Sequence, residues 1–343
     1  LTRFAVMPRW LGAAIISAFA VSAFAFFILA ETAPPERIGG RYSDVNAYLD
    51  ILTLMRGGSG YYRAVHDTLL AHSYGTTSVF NWRTPAWLEL LALFPSIAWA
   101  QALLMGVALV SLFLAYGMVR KSGNSFLALA AVLGILPSIA LIAGPHGVVL
   151  TEVVAGLLIL FSIVSYGNDR WVAGLLAALA ALFVRELTAP YILICIAFAV
   201  YRKNRRELAG WTIGLLAYCV YFEWHRFKIM QQLGPHEISY PDGWMRFGGM
   251  RFVLETAHFN GLLDLTPLLI TAILLPAALM GLFAWRQGLR AATTVAAYLC
   301  IFAVAGKPFN FYWGALYTPL LMLGLPWAVP AVYEALAPRK PVS

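Results

Sequence analysis

Ten apolar runs divide this chain, and lysine and arginine collect in every second gap between them. The runs lie near 10–30, 96–118, 125–143, 148–166, 171–184, 189–201, 208–223, 265–285, 291–305 and 314–334. A helix of roughly 20 residues crosses a hydrocarbon core of about 30 Å, and most of the runs fit that length. Basic loops stay on the cytoplasmic side of a membrane. Arg3 and Arg9 precede the first run, and Arg120 and Lys121 follow the second. Arg170 follows the fourth, and "YRKNRRE" with Arg202, Lys203, Arg205 and Arg206 follows the sixth. Arg286 and Arg290 follow the eighth, and Arg339 and Lys340 follow the tenth. The pattern predicts an all-α, polytopic transmembrane protein of about ten spans with both termini cytoplasmic. Two long polar segments, 31–95 and 224–264, then fall on the outer face.

Composition supports the same class. Hydrophobic residues make up 61% of the chain and charged residues 12%, with a mean hydropathy of +0.75, which excludes an ordinary soluble domain. A length of 343 residues leaves no room beside ten spans for a separate soluble domain, so 1–343 is read as a single integral-membrane domain. The net charge of +8 reflects basic residues gathered on one membrane face. No zinc-finger spacing or basic helix points to nucleic acid. Cys195, Cys219 and Cys300 lie in apolar runs without metal-ligand spacing and read as small buried residues. Residues 10–30 follow two arginines as a signal peptide would, but their length predicts a retained first helix.

The runs 171–184 and 189–201 are short. Merged into one helix, they would put "RKNRR" outside, so two short helices joined at Arg185 and Glu186 are expected. Fourteen residues reach only roughly 20 Å. The joining turn therefore lies below the outer surface, where ionisable groups are costly and mark function. Arg185 reads either as half of a buried pair that locks helices or as an anion-binding group oriented by Glu186. Glu152 lies one turn into the fourth run, close after "GPHG", and reads as a second carboxylate in the same hollow or as the partner of an arginine there, while His146 reads equally as a loop hydrogen-bonder or a reactive group. In "AGKPFNFYWG", Lys307 is a snorkelling interface lysine or a phosphate contact. Tyr312 and Trp313 there are aromatic-belt residues or a sugar-stacking surface.

The first outer segment has its own pattern. "YSDVNAYLDILTLMRGG" puts Val45, Tyr48 or Leu49, Leu52 and Met55 on one helical face, with Ser43 or Asp44 to cap it and Gly57-Gly58 to end it. "GYYRAVHDTLLAHS" aligns Tyr62, Val65, Leu69 and Leu70. Both predict amphipathic helices able to lie on a membrane surface. In "FNWRTPAW", Trp82 and Trp87 suit the interface, and Pro85 can open a helix. Asp44 is either an N-terminal capping carboxylate or a general base at the membrane edge. Asp50 and Asp67 read as solvated, and His66 and His72 make at most a weak metal pair. In the second segment Arg226, Lys228, Arg246 and Arg251 stand outside against the usual bias, which an anionic ligand or lipid headgroups would explain.

In Asp44 of "YSDVNAYLD", "GGSGYY", "FNWRTPAW" and "FVRELTAPY" before "YRKNRRE", the chain resembles the C superfamily of integral-membrane glycosyltransferases. Its polyprenyl-phosphomannose-dependent mannosyltransferases are the nearest in layout. The chain lacks the adjacent acidic pair that many members carry in the first loop, and the soluble C-terminal domain of several. The resemblance implies a polyprenyl-phosphate sugar donor and a lipid, glycan or protein acceptor. It implies a bacterial inner-membrane location with the site facing the periplasm or exterior. Asp44 would be the base. Arg185, with Arg83 or Lys307, would hold the donor phosphate, and Glu186 would orient Arg185. No cofactor or obligatory metal is expected, because arginine and lysine can neutralise the leaving phosphate. Two other classes compete: a flippase of polyprenyl-linked or other anionic lipids, and a non-catalytic partner in an envelope assembly.

Overall fold

The computed structural model describes residues 2–32, 43–239 and 247–337. Among them are sixteen α-helices joined by short 3-10 turns, and no strand. The helices are α1 (Arg9–Thr32), α2 (Asp44–Arg56), α3 (Tyr61–Ala71), α4 (Ala86–Leu93), α5 (Ile97–Ser122), α6 (Ser125–Ala140), α7 (Pro145–Val149) and α8 (Thr151–Gly167). They continue with α9 (Trp171–Val184), α10 (Ala189–Tyr201), α11 (Arg205–Met230), α12 (Gly249–His258), α13 (Leu268–Ala284), α14 (Leu289–Val304), α15 (Thr318–Gly324) and α16 (Ala328–Leu336).

Four helical stretches are long and apolar enough to cross a membrane: Arg9–Glu31, Ile97–Ser122, Ser125–Ala143 and Thr318–Leu336. Five more are apolar but shorter: Thr151–Gly167, Trp171–Val184, Glu186–Tyr201, Leu268–Ala284 and Leu289–Val304. The remaining run, 208–223, lies inside α11, whose ends carry Arg205, Arg206 and Glu207 at one side and Glu223, Arg226 and Lys228 at the other. Arg246, Arg339 and Lys340 lie outside the described residues.

The centre of the fold is α8, in which Glu152 through Leu157 and Ser162 through Tyr166 are all buried. It packs against α5, α9 and the 3-10 segment Pro308–Leu316. Gly156 permits that last approach, since a Cβ there would stand 2.0 Å from the Ala315 carbonyl oxygen. The chain breaks after α9 as the charge pattern requires. Arg185 is extended (φ −150°, ψ 117°), a 3-10 turn covers Glu186–Thr188, and α10 starts with Pro190 in its first turn.

The first long loop differs in register and packing from its expected form. The Ser43 hydroxyl caps α2 by accepting from the Asn46 amide, and Gly57 closes the helix. The buried face is Ala47, Tyr48, Ile51 and Leu52, with Val45, Leu49 and Met55 half-buried beside it. In α3 it is Tyr61, Ala64, Val65, Thr68 and Leu69, so the stripe is wider than expected and turned by about one residue. These faces are not left for a membrane surface, because α2 packs on α3, α4 and α7. Trp82 and Trp87 are likewise buried rather than interfacial. Their ring N–H groups donate to the carbonyls of Thr76 and Val148, each at 2.7 Å, which is how a tryptophan becomes tolerable in a core.

Candidate functional site

Asp44 is the first residue of α2, directly behind the Ser43 cap, and its two carboxylate oxygens are held separately. Tyr74 Oη donates to Oδ1 at 3.0 Å, and Tyr312 Oη donates to Oδ2 at 2.5 Å. Tyr74 comes from the loop after α3, and Tyr312 from the 3-10 segment Pro308–Leu316. Burial holds the Tyr312 phenol well above its ordinary pKa, with the Asp44 charge adding to the effect, so it stays a proton donor.

One helical turn along from Asp44, Tyr48 shares its face of α2. Its hydroxyl accepts from Arg83 Nε at 2.8 Å. Burial pushes the Tyr48 phenol up to about 12 against the pull of Arg83. The rest of Arg83 is fixed by backbone: Nη1 donates to the Phe80 carbonyl at 2.7 Å, and Tyr61 donates to Arg83's own carbonyl. Burial works against the Arg83 charge, but the surrounding oxygens of Tyr48, Tyr312, Glu152 and Glu186 outweigh it, and its pKa stands above the usual arginine value. Arg83 therefore remains a cation.

The second half of the cluster is built on Arg185. Its side chain is 1% exposed and faces Glu152, fully buried, with Nε 2.8 Å from Oε1. Nη1 contacts Glu186, whose side chain is 15% exposed and is the one wetted member of the three. The Nε–Oε1 contact is an ion pair rather than an aligned hydrogen bond. Thr151 satisfies the other Glu152 oxygen at 3.1 Å. Thus Arg185 is balanced by two carboxylates, whereas Arg83 forms no ion pair among the described residues and is held by neutral oxygens. The halves share one field, because Asp44, Glu152 and Arg83 all act on both Tyr48 and Tyr312.

The structure thus brings together Asp44, Arg83, Glu152, Arg185, Glu186 and Tyr312. Their contacts run from Tyr312 to Asp44, from Arg83 to Tyr48 on the same helix as Asp44, and from Arg185 to Glu152 and Glu186. His146 is exposed on α7. Lys307 precedes the 3-10 segment, half-buried, with Nζ 6.0 Å from the Phe309 ring centroid. His66 faces Glu237 at 3.1 Å and His72 faces Asp50 at 3.8 Å, and among the described residues no group of three or more His, Cys, Asp or Glu is placed to hold a metal ion. Two cations of the second loop have local carboxylate partners. Arg226 pairs with Glu223 at 2.8 Å, and Arg251 with Glu255 at 2.7 Å.

Tyr48, Tyr61 and Tyr74 belong to the site and were not singled out for it. Tyr48 was legible only as a core residue of an amphipathic helix. Tyr74 follows α3 in an aperiodic loop, with no local signal that its hydroxyl would reach back to Asp44.

Chemically, the cluster is a carboxylate fixed by two neutral donors, able to accept a proton, beside a cation that no carboxylate among the described residues pairs with at contact distance. No family model matches the chain, and no curated protein or solved structure is significantly similar to it.

Proposed function

We propose that this protein is a membrane glycosyltransferase that moves a sugar from a polyprenyl-phosphate carrier to a lipid, glycan or protein acceptor. Asp44 takes the proton of the acceptor hydroxyl as that oxygen bonds to the anomeric carbon. The bond from the anomeric carbon to the phosphate oxygen breaks, and the carrier leaves as polyprenyl phosphate. Negative charge grows on that phosphate, and Arg83 neutralises it where a fixed cation is worth most. Arg185 positions Glu152 and Glu186 instead of gripping the donor itself. The reading includes about ten spans, cytoplasmic termini, a bacterial inner membrane and a site open to the outer face, where a lipid donor enters sideways.

The observation that carries this reading is the placement, on one hydrogen-bonded face, of Asp44 and an arginine that forms no ion pair among the described residues. Asp44 and Tyr48 are one turn apart on α2, and Tyr48 holds Arg83 at 2.8 Å. The long apolar helices of the fold suit a lipid-borne donor. The test uses purified protein in liposomes with a synthetic polyprenyl-phosphate sugar carrying a radiolabel. Label is expected in an acceptor lipid fraction, with Arg83→Ala weakening donor use far more than it lowers the melting temperature. Movement of donor between leaflets without a covalent product would replace transfer by transport.

A further inference from the structure

The second long loop returns to the first and seizes the segment that separates Tyr74 from Arg83. After α11, the backbone at Ile238 pairs with Thr76. The Ile238 carbonyl accepts from the amides of Thr76 at 2.8 Å and Thr77 at 3.4 Å, and the Ile238 amide donates to Thr76 Oγ1 at 2.9 Å. Next to it, the Glu237 carboxylate accepts from the Gly234 amide at 2.6 Å and meets His66 Nε2 at 3.1 Å. The His66 ring stacks on Trp82, with centroids 5.7 Å apart and planes 14° from parallel. Trp82 closes the ring of contacts by donating to the Thr76 carbonyl at 2.7 Å.

These contacts hold both ends of 74–83. Tyr74, at one end, donates to Asp44. Arg83, at the other, directly follows the stacked Trp82. His225 adds a third grip, with Nε2 3.0 Å from the Trp82 carbonyl and Nδ1 3.0 Å from the Tyr62 hydroxyl. Thr76, Trp82 and His225 are at most 1% exposed, while the His66 and Glu237 side chains are 17% and 11% exposed. The closure therefore rests on buried backbone pairing that a half-wet side-chain pair keeps in register.

We infer that Glu237 and His66 form a latch by which the second long loop positions Asp44 and Arg83 relative to each other. The functional weight of this latch rests on the reading of those two residues as base and cation. Neither side chain touches the cluster, so both are positioning residues acting through Trp82 and Tyr74. The contacts span more than a hundred residues of sequence, and no helix joins 74–83 to the loop that grips it. Cutting the latch should therefore loosen this segment before it disturbs the helices.

The test reads the full-length protein in nanodiscs without any substrate. Hydrogen exchange of the Thr76 and Thr77 amides and the labelling rate of Asp44 by a water-soluble carbodiimide are measured together. Glu237→Ala and His66→Ala should each speed exchange in 74–83 about tenfold, the scale of one charge-assisted hydrogen bond. The double variant should be no worse than the worse single. Both should raise Asp44 labelling to the level of Tyr74→Phe. Unchanged exchange in either folded variant, or additive effects in the double, would overturn the latch. Faster exchange with unchanged Asp44 labelling would overturn the positioning role and leave only a structural strap. Neither readout involves a sugar donor, so failure of sugar transfer is judged separately.

Discussion

Arg185 and Arg290 are buried near opposite ends of α8, and the bundle pays for the two charges differently. Glu152, near the start of α8, stands 2.8 Å from Arg185, and Glu186 adds a second carboxylate. Tyr166, near the other end and about 21 Å along the axis, receives Arg290 by its ring face. The guanidinium carbon lies 3.7 Å from the Tyr166 centroid and 4.8 Å from that of Phe198. Among the described residues Arg290 forms no ion pair, and besides the two rings its guanidinium meets the Cys195 thiol. One end is an ionic network that includes a wetted carboxylate. The other is a cation sealed between aromatic rings. Burial of an arginine alone therefore says little about its role; the company it keeps separates an ionic network from an aromatic packing device.

The comparison can be broken first at its ionic end. Arg185→Met leaves Glu152 buried and unpaired, so unfolding stability should fall by about 3–5 kcal/mol. Glu152→Met combined with Arg185→Met should recover much of that loss. Thermal unfolding in one detergent compares the three proteins, and a single variant as stable as the parent would contradict the network. Gly156→Ala sharpens the comparison from the middle of α8. Its Cβ would collide with the Ala315 carbonyl and displace the segment that carries Tyr312, costing about 1–3 kcal/mol. Carbodiimide labelling of Asp44 should rise with it.

At the aromatic end, Arg290→Met should cost about 2 kcal/mol, the scale of a desolvated cation–π contact. Asp44 labelling should stay at the parent level, and a rise there would show that the two ends are coupled. The smallest effect is expected from Tyr74→Phe. It removes one hydrogen bond worth about 1 kcal/mol. The melting temperature should scarcely move while Asp44 labelling increases.

Much of the helical layout was legible because charge and hydropathy act locally. The break between Val184 and Ala189 followed from the placement of "YRKNRRE", and the start of α2 from a serine before an apolar stripe. Pairings across the fold were legible only as alternatives. Glu152 was readable as a second carboxylate in the hollow or as the partner of an arginine there, and packing pairs it with Arg185, 33 positions away. Trp82 and Trp87 were assigned to the interface by residue type, yet two backbone carbonyls elsewhere make their burial possible. Arg226 and Arg251 looked like outward cations awaiting an anion. Glutamates three and four residues away answer them, a spacing visible in the sequence itself.

The proposed role of Asp44 as the base is decided by following radiolabelled sugar from a synthetic polyprenyl-phosphate donor in liposomes that contain either the parent protein or Asp44→Asn. Asparagine preserves shape: its carbonyl oxygen accepts from one of Tyr74 and Tyr312, and its amide donates to the hydroxyl oxygen of the other once that hydroxyl turns, so the melting temperature should change little. Loss of a general base lowers turnover by about 10²–10⁴-fold. The account predicts transfer by the parent protein and a loss on that scale in the folded variant. Equal turnover by folded Asp44→Asn, or no transfer by the parent to any envelope lipid extract, would contradict it.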